Sequence, residues 1–175
     1  VGDVHDAVVA ANPNTARADL NTIADRTNNP AVLESIAKHA HANANTLTRV
    51  LNNASANEAV DIALAKNHLT NEAALIQIDG RTPAARTHVF DHPRANAARG
   101  HASAAFNALN LLDQDDIEAA VNDAILHAGG LGLTPFQEVV YRSLLVKTQG
   151  VVDNLKSIQR IGDEAQALSD EAVIA

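Results

Sequence analysis

Residues 12–36 read NPNTARADLNTIADRTNNPAVLESI, and the two units in this stretch set the pattern for everything up to Asp79. Leu20 and Leu33 are each followed three positions later by an isoleucine, Ile23 and Ile36. The pair recurs as Leu47 with Val50, Val60 with Ala63 and Leu75 with Ile78, at steps of 13, 14, 13 and 15 residues. A spacing of i, i+3 places both side chains on one helical face. Asn, Ser or Thr stands ahead of each pair: Thr15, Asn28 and Asn29, Asn43 and Asn45, Ser55, and Thr70. Their side-chain oxygens are suited to cap the unpaired N–H groups of a first helical turn. Asn12-Pro13 and Asn29-Pro30 act as punctuation, because proline is tolerated only outside a helix or in its first turn. The pattern predicts five short capped helices joined by tight turns. A helix of about nine residues is unstable alone and must bury its stripe against neighbours. The fold class that follows is all-α, a short-helix α-solenoid followed by a capping group of longer helices.

Asn12-Pro13-Asn14-Thr15, four residues, then Leu20-x-x-Ile23-Ala24 resembles the variant leucine-rich repeat and related short HEAT-like α-solenoids. The resemblance covers residues 12–79, under half of the chain, and is best in the first two units. It implies helices stacked into a curved superhelix whose concave side binds partners. That family's repeat is longer than one unit here and pairs two helices. Two adjacent units make one helix-pair repeat of about 27 residues, as from Leu20 to Leu47.

Composition agrees with helices. Hydrophobic residues make up 46% of the 175 positions but aromatics only 2%, and Ala alone fills 35. A core of Ala, Leu, Val and Ile favours thin, closely approaching helices, and Ala is the best intrinsic helix former. The formal charge of -8 argues against nucleic acid as a partner, since phosphates call for a basic face. Without Cys there is neither a disulfide framework nor a thiolate zinc site. No run of 18 apolar residues is present to span a membrane. The chain begins at Val1 and contains no Met, which points to a processed product or a fragment.

The remaining chain reads in order. Residues 3–10 form a short helix with Asp3 as a cap and Val4 and Val8 on one face. Gly80 is a left-handed stop, after which Thr82 caps and Pro83 opens a new first turn. Residues 102–112 place Ala105, Phe106, Leu109 and Leu112 at helical spacing. Asp113 caps a helix through Ile117, Val121, Ala124, Ile125 and Ala128, and residues 129–133 form a joint. Thr134 and Gln137 make a capping box for a helix that Gly150 stops. A separate amphipathic helix follows over 151–161, using Val151, Leu155, Ile158 and Ile161, and Ser169 caps a last turn. The organisation is a repeat region over 1–80, an Arg- and His-rich connector over 81–101 and C-terminal helices over 102–175, read as one continuous domain.

Three groups of side chains are candidates for chemistry. Arg81, Arg86, Arg94 and Arg99 stand against a single acid, Asp91, in the one locally basic segment. Four guanidiniums suit a phosphate, a carboxylate-rich partner or an acidic face of another subunit, and the alternative is pairing with the chain's own acids. His88 and His92 have the i, i+4 spacing that lets two imidazoles share a metal, with Asp91 and His101 to complete the set. Pro93 works against helical geometry at His92, and solvated or turn histidines are the alternative. His39 and His41 diverge on a helix and converge only in a turn. The acid pairs Asp115-Asp116, Asp163-Glu164 and Asp170-Glu171 diverge on a helix, and first-turn acids answer the helix dipole. Residues 129–132, Gly-Gly-Leu-Gly, lack the Lys of a phosphate loop.

No catalytic residue and no cofactor is assigned. The reading is a non-enzymatic structural or protein-interaction scaffold, a subunit of a larger assembly such as a particle, filament or secretion apparatus. Its partners are other protein subunits in a homo- or hetero-oligomer. The alternative is a metal- or anion-binding protein or enzyme using segment 81–101.

Overall fold

The computed structural model describes residues 2–109 and 114–174, and among them the chain is all-helical, with no strand. It divides into two compact units, residues 1–96 and 97–175. No helix among the described residues is long and apolar enough to cross a membrane.

The first unit holds seven helices of six to ten residues: α1 (Gly2–Ala11), α2 (Arg17–Arg26), α3 (Pro30–Ala37), α4 (Ala44–Asn53), α5 (Glu58–Lys66), α6 (Glu72–Arg81) and α7 (Arg86–Asp91). The caps are the asparagines that precede the apolar pairs. Asn29 accepts from Ala31 N–H, with Pro30 at the first helical position. Asn43 accepts from Thr46 N–H, Asn57 from Val60 N–H and Asn71 from Ala74 N–H. Each supplies an acceptor to a backbone N–H that the helix itself cannot satisfy. Thr15 and Thr70, expected as caps, act differently: their hydroxyls donate back to Val9 O and Leu64 O in the preceding helix.

Packing runs between alternate helices. α1 lies against α3, α3 against α5 and α5 against α7, while α2 lies against α4. The residues that meet are those of the sequence pattern, with Leu20, Ile23, Leu33, Ile36, Leu47, Val50, Val60, Ala63, Leu75 and Ile78 all buried. Burying a Leu or Ile side chain is worth about 1.5–3 kcal/mol each. That packing, rather than local propensity, holds helices this short.

Gly80 is not a stop. It lies within α6, which runs on to Arg81, because the helix continues to bury Ile78 and to engage Arg81 with α5. Thr82 precedes the 3₁₀ turn Pro83–Ala85 but makes no side-chain cap there. Segment 81–101 is shared between the units. Residues up to 96 complete the first unit through α7 and the 3₁₀ turn Pro93–Ala95, and 97–101 lie in α8 (Asn96–Leu109).

In the second unit α9 (Gln114–Leu126), the 3₁₀ turn Ala128–Leu131 and α10 (Pro135–Ile174) pack together, burying Val121, Ala128, Phe136, Val140, Tyr141 and Leu145. The capping box forms as read: Gln137 N–H donates to Thr134 Oγ1 and Thr134 N–H to Gln137 Oε1. Gly132, at φ 69°, is the left-handed residue that closes the preceding turn. Gly150 does not end the next helix, and no new helix starts at Val151. α10 is a single helix of 40 residues that passes through Gly150, Gly162 and Ser169. A glycine inside a helix costs only about 1 kcal/mol, so neither breaks it without a competing turn. The expected cap at Asp113 and the position of Leu112 lie outside the described residues.

Candidate functional site

The turns that join α1 to α2, α3 to α4, α5 to α6 and α7 to α8 are four copies of one structure. They comprise residues 12–15, 39–42, 67–70 and 92–95, in sequence Asn-Pro-Asn-Thr, His-Ala-His-Ala, Asn-His-Leu-Thr and His-Pro-Arg-Ala. In each, the fourth N–H donates to the first carbonyl, at 2.9–3.1 Å. In each, the first side chain also accepts from the third N–H: Asn12 from Asn14, His39 from His41, Asn67 from Leu69 and His92 from Arg94, all at 3.0–3.1 Å. Asn uses Oδ1 and His uses Nδ1. The amide and the imidazole are interchangeable here because each carries an acceptor and a donor that point apart.

The remaining nitrogen of His39, Asn67 and His92 reaches back to the preceding turn or to the end of the helix that leads into it. His39 Nε2 lies 2.8 Å from Asn12 O and His92 Nε2 2.9 Å from Asn67 O. Asn67 Nδ2 donates to Ala37 O at 2.9 Å. A carbonyl only accepts, so Nε2 of His39 and His92 carries the proton while Nδ1 holds its lone pair for the turn. Both rings are therefore neutral Nε2–H tautomers, and both are buried. The third turn position adds another rung, with His41 Nδ1 2.8 Å from Thr15 O and Arg94 Nε donating to Thr70 O at 3.0 Å. Arg17 Nε donates to His41 O at 2.9 Å. The result is a ladder of side-chain to main-chain bonds running across all four turns.

Acid–base pairs hold other junctions of the same unit. Asp61 is fully buried and receives Arg81 at both oxygens, at 2.6 and 2.9 Å, together with the Thr82 hydroxyl. Asp6 and Arg26 make the same two-pronged pair 55 residues earlier. The hydrogen bonds from Arg26, ahead of the cost of burial, hold the Asp6 carboxyl below the usual carboxylate range.

Between the second and third turns lies an open groove of about 320 Å³. Its polar lining is Lys38, His39, Lys66, Asn67 and His68, floored by alanines such as Ala37 and Ala63. Lys38 pairs with Glu34 of its own helix, whereas Lys66 has no carboxylate partner among the described residues. Two ammonium groups beside an exposed imidazole suit a carboxylate or another anionic group carried by a partner.

Three arginines of the basic segment have partners of their own within the first unit. Arg81 is bound to Asp61, Arg86 pairs with Asp79 at 2.9 Å and stands 5.9 Å over the Phe90 ring, and Arg94 serves the ladder. Arg99 is half-buried in α8. Of the histidines, His92 is committed through both ring nitrogens, His88 sits in α7, and Asp91 is exposed at the end of that helix. His101 belongs to the second unit, edge-on to Tyr141 at 6.4 Å. His39 and His41 do lie together in a turn, rings 5.2 Å apart, with their nitrogens engaged as above. Among the described residues no three His, Asp or Glu side chains gather as a metal site.

Sequence reasoning passed over Asn12 and Asn67 as ladder residues, although a signal was present. Counting only the turns, Asn or His recurs at 12, 39, 67 and 92, and Thr or Ala at 15, 42, 70 and 95. Compared with known proteins, the chain matches no family model, no curated protein and no solved structure.

Proposed function

We propose that this chain is a non-enzymatic scaffold, a helix-pair solenoid finished by longer helices, that works as a protein-interaction subunit of a larger assembly. The particle, filament or secretion apparatus of the sequence reading are assemblies of that kind. The observation that carries the proposal is the ladder. Residues of the types that elsewhere perform chemistry are here spent on internal structure: His39, His92 and Arg94 tie one turn to the next, and Arg81 ties the end of α6 to α5. A chain that commits its imidazoles and guanidiniums to spacing its own repeats is built to present a surface of fixed geometry. The ladder turns recur at steps of 27, 28 and 25 residues, close to the two-unit step of about 27 residues from Leu20 to Leu47.

The groove at Lys38 and Lys66 is the partner-facing part of this reading, with an acidic segment of another subunit as its occupant. The test is the native mass of the protein isolated from its source, for the wild type and for Lys38→Glu with Lys66→Glu. The wild type is expected in a complex larger than 18.4 kDa, and the double variant in a smaller one. A wild-type protein that runs alone at its own mass, with no companion, ends the proposal.

A further inference from the structure

We infer that residues 151–172 of α10 pair with the same segment of a second copy of this chain, as a parallel, in-register two-stranded coiled coil. The inference deepens the assembly reading by naming one partner and one surface.

From Gly150 to Ala172 every residue whose side chain the structure describes is exposed. This part of α10 therefore lacks the buried stripe that supports a helix in water. Its sequence nevertheless carries one. Val151, Asn154, Ile158, Ile161, Ala165, Leu168 and Ala172 follow one another at alternating steps of three and four. That is the a and d spacing of a heptad sustained over three repeats, the shortest length at which it indicates a coiled coil. Four of the seven are large aliphatics, each 54–67% exposed. At 1.5 Å per residue the seam is about 33 Å long.

The seam specifies its occupant. Its single polar member, Asn154, needs an amide opposite it when the seam closes, because an unpaired buried amide costs free energy. A parallel, in-register copy supplies Asn154 of the second chain, whereas an antiparallel copy supplies Ala165 or Ala172. In the parallel arrangement the flanking Glu164 faces Ser169 of the other copy, so no like charges meet beside the seam. Arg160 leans on Glu164 within its own helix, at 3.9 Å. The segment holds Lys156 and Arg160 against Asp153, Asp163, Glu164, Asp170 and Glu171, two positive and five negative, hence -3 per copy. Added salt therefore strengthens this association by screening, whereas it would weaken docking onto a basic partner.

The chain contains no cysteine, so single-cysteine variants report register directly. Sedimentation equilibrium of the full chain is expected to give twice the monomer mass at micromolar concentration, more so at 0.5 M than at 0.05 M salt. Ile158→Glu with Ile161→Glu is expected to return the monomer mass while the denaturation midpoint of the first unit stays unchanged. Under mild oxidation Asn154→Cys and Leu168→Cys are each expected to cross-link to themselves. Cross-linking of Asn154→Cys only when it is mixed with Ala165→Cys or Ala172→Cys would mean antiparallel pairing and overturn the inference. A wild-type monomer throughout the concentration range would also overturn it, and would leave the native-mass test of the repeat scaffold standing.

Discussion

Leu75 in α6 and Leu168 in α10 both lie on the apolar face of a helix, in opposite surroundings. Leu75 is fully buried, within a helix of ten residues. Leu168 is 67% exposed, within a helix of 40. The short helix is held by what it touches and by a cap and a pair at its ends, Asn71 and Arg81. The long one has hydrogen bonds along its whole length and little beyond Gly150 to protect them from water. Length and packing are thus separate sources of order, packing in the first unit and length in the part of α10 beyond Gly150.

The contrast breaks most sharply under truncation. Leu75→Ala is expected to destabilise the first unit by about 3 kcal/mol, the lost transfer energy plus the cavity left behind. Leu168→Ala is expected to change the unfolding of that unit by less than about 0.5 kcal/mol, as an exposed substitution does. Urea denaturation followed by circular dichroism at low protein concentration measures both. Equal effects would mean that the two leucines do not differ as described.

The next effect in size sits at Asp61. Asp61→Asn keeps the shape but leaves Arg81 with a neutral partner and one donor too many. A loss of about 2–3 kcal/mol is expected, below the range for breaking a fully buried pair because the Arg81 side chain is 20% exposed. Asp6→Asn tests the same device where the guanidinium of Arg26 is more than half exposed, and its effect is expected to be smaller. Its sign with pH is fixed by the lowered Asp6 value. A carboxyl that ionises more readily folded than unfolded stabilises fully above its unfolded value of about 3.9 and progressively less as the pH falls through the folded one. The advantage of wild type over Asp6→Asn should be constant above pH ~5 and vanish in stronger acid. An advantage that grows on acidification would contradict the Arg26 pairing.

Much of both units was legible where the signals are local. Asn29, Asn43 and the Thr134–Gln137 box are read from a few neighbouring residues, and each forms the bonds read for it. The apolar pairs from Leu20 to Ile78 are buried for the same reason. What failed was inference from glycine. Gly80 and Gly150 were read as stops by residue type, whereas a helix ends where its backbone finds better partners, and neither site offers them. The ladder was illegible for a different reason. The leucine spacing is nearly equal in both kinds of helix, so it sets the step at 13 to 15 and hides the alternation of the turns. Thr15 and Thr70 looked like caps, but their hydroxyls answer a carbonyl of the preceding helix, which only the fold brings within reach. The acids that occupy Arg81 and Arg86 are Asp61 and Asp79, the first of them twenty residues away in sequence.

The most specific prediction concerns the ladder. If the first position of each ladder turn needs an acceptor for the turn and a donor for its predecessor, Asn and His should exchange there. His39→Ala removes both functions and is expected to cost about 1–2 kcal/mol, since Asn12 O and His41 N–H each lose a partner. His39→Asn restores the acceptor, and its amide points toward α1 as that of Asn67 points toward Ala37 O. Its cost should fall below about 0.7 kcal/mol, and Asn67→His should behave alike. The neutral tautomer gives an independent check. In nitrogen-detected NMR, His39 and His92 should show a protonated Nε2 and a bare Nδ1, and His41 a proton on Nδ1. Should His39→Asn cost as much as His39→Ala, the imidazole would be acting as bulk, and the rungs between the turns would be a consequence of the stacking instead of one of its causes.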